Sequence, residues 1–110
     1  SMTLDEYQKK ASETAQYPNV GSNYIYPTLG LAGESGEIAN KIKKIQRDKG
    51  NVLDEEVKKA IANELGDTLW YISQLARELG LSLEEIGKTN IEKLRFRKER
   101  NVISGDGDNR

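Results

Sequence analysis

Both prolines of the chain, Pro18 and Pro27, lie in its first quarter. Proline is the strongest breaker of a helix interior, so every residue after position 27 is free to be helical. Apolar residues use that freedom. From Pro27, Leu31, Ile38, Ile42 and Ile45 follow the 3.6-residue period until Asp48-Lys49-Gly50-Asn51 interrupts it. Asp54 is placed as the N-cap of a long third helix carrying Val57, Ile61, Leu65, Leu69, Ile72, Leu75 and Leu79, stopped by Gly80. Ser82-x-x-Glu85 reads as a capping box opening a fourth helix through Leu83, Ile86, Ile91 and Leu94 to about Glu99. Ahead of the prolines, Thr3-x-x-Glu6 is another capping box, and Leu4, Tyr7, Ala11 and Ala15 put a first helix over about residues 3–16. Tyr17 to Tyr26, rich in Pro, Gly, Ser and Asn, reads as a loop, and the polar 101–110 segment as a tail disordered or ordered by a ligand. No alternating strand pattern occurs, so the predicted fold class is all-α with four helices.

A length of 110 residues predicts a single domain over 1–110, with Ser1 ahead of Met2 reading as a tag remnant. Composition then removes whole classes of chemistry. With no cysteine there is no disulfide, thiolate nucleophile or iron–sulfur ligand, and with no histidine there is no imidazole base or Ser-His-Asp triad. Carboxylate, amide, hydroxyl, Lys and Arg chemistry remain, a set that suits hard cations such as Mg²⁺, Mn²⁺ or Ca²⁺. A net charge of −1 gives no bulk field for nucleic acid or membrane. The longest apolar run, Leu69 to Ile72, is far short of the roughly 20 residues a membrane span needs, and no signal-peptide pattern occurs, so a cytoplasmic protein is expected. Hydrophobic residues make up 35% of the chain, a thin core for a monomer, which predicts an oligomer.

Helical wheels bring out one constellation. On helix two, Ile45, Ile38, Leu31 and Ile42 fall roughly 20–80° from Glu34, with Glu37 about 60° to the other side. On helix three, Val57, Leu75, Ile61, Leu79, Ile72 and Leu65 fall roughly 20–100° from Glu64, and Asp67 again lies about 60° to the opposite side. Both acid pairs therefore border a packing face at the same phase. Four carboxylates meeting there repel one another unless a cation intervenes. A single E-x-x-E is ordinarily solvated, and Glu37 has Lys41 at i+4 as a surface partner; the matching phase of two pairs is what carries weight. Glycines 30, 33 and 36 sit among these acids and point to close approach of a helix or ligand.

Helix four supplies a complement. Asn90, Lys93 and Arg97 fall between or beside Leu83, Ile86 and Leu94, an amide and two cations with one aim, suited to an anion such as phosphate. The plainer reading is that Lys93 and Arg97 snorkel outward and frame the core.

Glu34-x-x-Glu37 and Glu64-x-x-Asp67, set in LGLAGESGEIA and ELGDTLWY, resemble the two metal-binding helices of the MazG-like all-α nucleoside triphosphate pyrophosphohydrolases. Asn90-x-x-Lys93-Leu-x-x-Arg97 resembles their phosphate-contacting helix, and the ending GDGDNR is similar to that of stand-alone members, including those of integron gene cassettes. The resemblance implies a four-helix bundle completed by oligomerisation, as a homodimer or homotetramer. It implies Mg²⁺, with Mn²⁺ as a substitute, held by Glu34, Glu37, Glu64 and Asp67. The implied reaction is hydrolysis of a nucleoside triphosphate to monophosphate and pyrophosphate, as in nucleotide-pool house-cleaning. Any of the four acids enters as catalytic, with Glu37 the one suited to orienting or deprotonating water. Asn90, Lys93 and Arg97 would bind phosphate; Tyr71 and Tyr24, with Tyr26 and Gln8, are candidates against the base. The competing function is a non-catalytic nucleic-acid or protein interaction module using the basic stretch Lys93 to Arg100, against which stand the near-neutral charge and the inward phase of Asn90, Lys93 and Arg97.

Overall fold

A computed structural model describes residues 1–48 and 50–100. Four helices make up the fold: α1 (Leu4–Ser12), α2 (Ile25–Asp48), α3 (Glu55–Glu78) and α4 (Leu83–Glu99). No strand occurs among the described residues, and no described helix is long and apolar enough to cross a membrane. The tail at 101–110 lies outside the described residues.

Local chemistry explains each boundary. Thr3 and Glu6 close both halves of the capping box at the start of α1. The helix ends at Ser12, short of the expected residue 16. The N–H groups of Thr14 and Ala15 reach back only three residues, to Ala11 and Ser12, tightening the last turn. Trp70 Nε1 donates to the Ala11 carbonyl at 3.2 Å and holds the end there. Helix α2 begins two residues before Pro27, because Asn23 Oδ1 accepts from the N–H groups of Ile25 and Tyr26, each at 3.1 Å. Pro27 then sits in the first turn, where its missing N–H has no partner to lose. Asp54 caps α3 through the Val57 N–H at 2.9 Å. Gly80, at φ +71°, closes α3 with the paired bonds Leu81 N–H to Ala76 O and Gly80 N–H to Arg77 O. Ser82 caps α4 through the Glu85 N–H, but only half of the expected box forms. Asp5 of α1 takes over: its carboxylate accepts from the Ser82 hydroxyl at 2.9 Å and from the Glu84 N–H at 3.0 Å.

Packing departs from the wheel in an instructive way. Helices α2 and α3 form an antiparallel pair, since Gly30 faces Tyr71 while Glu34 faces Glu64 and Asp67. Helix α1 lies against another side of α3 and also meets α4, whereas α4 makes no extensive contact with α2 or α3. The most deeply buried positions of α3 are thus Ser73 and Gln74, facing α1, and Ala76, rather than its leucines. Small and polar side chains let α1 approach closely: Gln74 Nε2 reaches Ser12 Oγ at 3.4 Å and Gln8 Nε2 reaches the Ser73 carbonyl at 3.3 Å. Leu65, Leu69, Ile72 and Leu79 of α3, and Ile86, Ile91 and Leu94 of α4, stay more than a third exposed.

Candidate metal centre

The antiparallel register of α2 and α3 decides where the acids meet. Glu34 lies one turn beyond Gly30 on α2, and Asp67 one turn before Tyr71 on α3, so both steps lead to the same level of the pair. There Glu34, Glu64 and Asp67 each offer a carboxylate oxygen, all within 4.8 Å of one another; Glu34 and Glu64 are half-buried and Asp67 exposed. Glu37, a turn further along α2, is exposed and falls outside this group.

Crowding shows in the electrostatics. The Glu34 carboxyl is pushed up to about 7 by a hydrogen bond with Glu64, then by burial and by the charges of Glu64, Asp67 and Glu37. A proton held between two carboxylates does what a cation would do there. Oxygen ligands around one Mg²⁺ lie at most about 4.2 Å apart, so small side-chain rotations would bring these three into its shell. The donor set, all carboxylate oxygen, fits a hard divalent cation.

Tyrosines border the acids. Tyr71 lies against Gly30, where an added Cβ would come within 3.0 Å of its ring, and its hydroxyl pKa is raised by burial, then by Tyr26 and the charges of Glu34 and Asp67. Tyr7 of α1 is raised by burial and then by Asp67, which places it beside the same cluster. Beyond Tyr71 the wall continues with Tyr26, its ring centroid 6.5 Å away, and Tyr17, stacked on Tyr26 at 5.0 Å with 10° between planes. Trp70 is packing: it meets Tyr17 and Tyr71 edge-on and donates to Ala11 O and Thr14 Oγ1. Tyr24 is 58% exposed with no ring contact among the described residues. Gln8 is engaged in structure, donating to the carbonyls of Ser73 and Leu81 and accepting from the Leu83 N–H at 3.1 Å.

The residues on α4 stand apart from the acids. Asn90 and Lys93 line a groove of about 420 Å³ with Ile86 and Thr89, and no acid of the cluster lines it. Arg97 is 8% exposed. Sequence reasoning missed Tyr7, whose place in the Leu4/Tyr7/Ala11 stripe marked it as core. It also missed the roles of Tyr17 and Asn23, which lie in the segment read as a loop.

Comparison with known proteins agrees with this architecture. The profile of the MazG nucleotide pyrophosphohydrolase domain matches residues 26–102, which take in both acidic motifs and helix α4. The Gene 37 protein of Mycobacterium phage L5 is 48% identical over an alignment covering 99% of this chain and 100% of the phage protein, under a name that states no activity. No solved structure matches. By its all-helical fold and by the span of that match, the chain belongs to the MazG nucleotide pyrophosphohydrolase family.

Proposed function

We propose that this chain hydrolyses nucleoside triphosphates at the α–β phosphoanhydride, giving a nucleoside monophosphate and pyrophosphate, with Mg²⁺ as its resident cation. The observation that carries the reading is the convergence of Glu34, Glu64 and Asp67 at one level of the α2–α3 pair. These three would hold the cation, whose chemistry is to neutralise the triphosphate and favour in-line displacement. Glu37, exposed and a turn away, is suited to orienting the attacking water and taking its proton as the bond to the leaving pyrophosphate breaks. Tyr71 and Tyr26 offer ring faces beside the cluster on which a base can stack. Pool house-cleaning is the cellular role such a reaction serves.

Asn90 and Lys93, which line an open groove on α4 away from the acids, are assigned to the phosphates of a second copy of the chain, and Arg97 joins them by turning its guanidinium out of its buried place. The uncovered Leu65, Leu69, Ile72 and Leu79 of α3, with Ile86 of α4, are the apolar surface such an assembly would bury.

The test incubates the protein with a panel of standard and modified nucleoside triphosphates, with and without Mg²⁺, and resolves the products by chromatography. Monophosphate plus pyrophosphate, only with Mg²⁺ and abolished by Glu64→Gln at unchanged helical circular dichroism, is the expected result. Diphosphate plus orthophosphate contradicts the bond assignment, and retained turnover in Glu64→Gln contradicts the site.

A further inference from the structure

Glu78, at the last turn of α3, carries a fully buried side chain, a costly place for a carboxylate unless something answers its charge. What answers it is the neighbouring Arg77, whose Nη2 lies 3.8 Å from Oε2, and, with hydrogen bonds, the loop between α1 and α2. Oε2 accepts from the Tyr17 hydroxyl in a short hydrogen bond and from the Gly21 N–H at 2.8 Å, and Oε1 accepts from the Asn23 N–H at 2.8 Å. Gly21, at φ +94°, adopts a backbone conformation that favours glycine and turns its N–H to the carboxylate.

The linkage runs on from there. Asn23, its backbone held by Glu78, uses its side chain to cap α2 at Ile25 and Tyr26 and to bond the Pro18 carbonyl at 2.9 Å. Tyr26, in that first turn, stacks on Tyr17, whose hydroxyl returns to Glu78. One carboxylate thus fixes both rings of the stack, one through its hydroxyl and the other through the backbone of Asn23. Tyr26 meets Tyr71, which adjoins the acid cluster.

We infer that Glu78 is a positioning residue that latches the 17–26 segment to α3 and so sets the aromatic platform on which the nucleobase of the substrate rests. This rests on the proposed triphosphate hydrolysis and adds to it a residue outside the acid cluster and outside the basic helix. Glutamine at this position cannot replace the carboxylate, because every partner bond is donated to it and the amide brings a donor against at least one of them.

Glu78→Gln is compared with the unmodified protein on a nucleoside triphosphate and on ribose 5′-triphosphate, which keeps sugar and phosphates but has no base. A loosened platform raises KM for the nucleotide about tenfold, leaves its kcat within about twofold and does not move either constant for the base-free compound. Equal losses on both compounds, or no loss on either, overturn the inference. Tyr17→Phe, which keeps the ring and removes one donor, shows a smaller shift of the same kind and serves if Glu78→Gln does not fold. Absence of turnover in the unmodified protein counts against the hydrolase reading alone. The latch is then decided by amide exchange at Gly21 and Asn23: protection lost in Glu78→Gln upholds it, and lack of protection in the unmodified protein refutes it.

Discussion

Gly30→Ala is the sharpest probe of how the α2–α3 pair sets the acid cluster. An added Cβ would lie under 3.0 Å from Cδ1, Cε1 and Cζ of Tyr71, so the ring must retreat by about 1 Å to reach ordinary contact. Trp70 stands edge-on to that ring at 5.2 Å and Tyr26 at 6.5 Å, leaving little room for it to turn. Overpacking of this kind costs about 1–3 kcal/mol, against about 1 kcal/mol gained when alanine replaces glycine in a helix interior. The net expectation is a loss of up to about 2 kcal/mol and, since Glu34 lies one turn away, weaker turnover as well. Gly36 is the control: no described residue lies within 4 Å of a Cβ there, so Gly36→Ala should stabilise by up to about 1 kcal/mol. Urea denaturation followed by circular dichroism, at one protein concentration throughout, measures both. In a Tyr71→Leu background the penalty at Gly30 should largely vanish. A Gly30→Ala variant as stable as Gly36→Ala, or a penalty unchanged by Tyr71→Leu, refutes the reasoning.

Gln8→Ala should lower stability by about 1–3 kcal/mol, because the half-buried Ser73 carbonyl and Leu83 N–H, with the exposed Leu81 carbonyl, lose a partner; KM for the nucleotide should stay within about twofold, and a large KM change would return Gln8 to the base site. Two acids give opposite pH dependences in the cation-free protein. Glu78 is lowered: burial pushes it up, but the bonds from Tyr17, Asn23 and Gly21 and the charge of Arg77 outweigh that. Its contribution is therefore present above the unfolded carboxylate range near 4.3 and lost as pH falls through the folded value. Glu34 is raised to about 7, so the folded chain keeps a proton that the unfolded chain releases, and stability falls as pH rises from about 4.5 to 7. Denaturation midpoints in the presence of a chelator should show Glu34→Gln removing the second slope and Glu78→Gln the first; slopes of the reverse sign contradict these assignments.

Helix class and three of the four N-termini were legible because capping chemistry is local: Thr3, Asp54 and Ser82 each bond a backbone N–H three residues on. The meeting of Glu34, Glu64 and Asp67 was legible for the same reason, since a residue at the edge of a stripe has its direction set by its own helix; Glu37, placed with them by the same wheel, falls outside the group because it lies a turn further along α2 and is exposed. The start of α2 was not, because Asn23 looks like any loop residue until its side chain is seen capping Ile25 and Tyr26. Nor was the burial of Ser73 and Gln74. A wheel assumes one packing face, and α3 has two, the second built for the close approach of α1. Of glycines 30, 33 and 36, only Gly30 meets a neighbour among the described residues. The role of Glu78 depends on partners 55 to 61 residues away, which no local pattern reports.

The central claim is that Glu34, Glu64 and Asp67 together hold a divalent cation beside the triphosphate. Electron paramagnetic resonance of Mn²⁺ titrated into the protein, with an α,β-methylene nucleoside triphosphate present, tests it directly. Loss of the free Mn²⁺ signal beyond that caused by the nucleotide alone, abolished in Glu64→Gln and in Asp67→Asn, is the predicted result. Undiminished binding in both variants, or no binding by the unmodified protein, contradicts it.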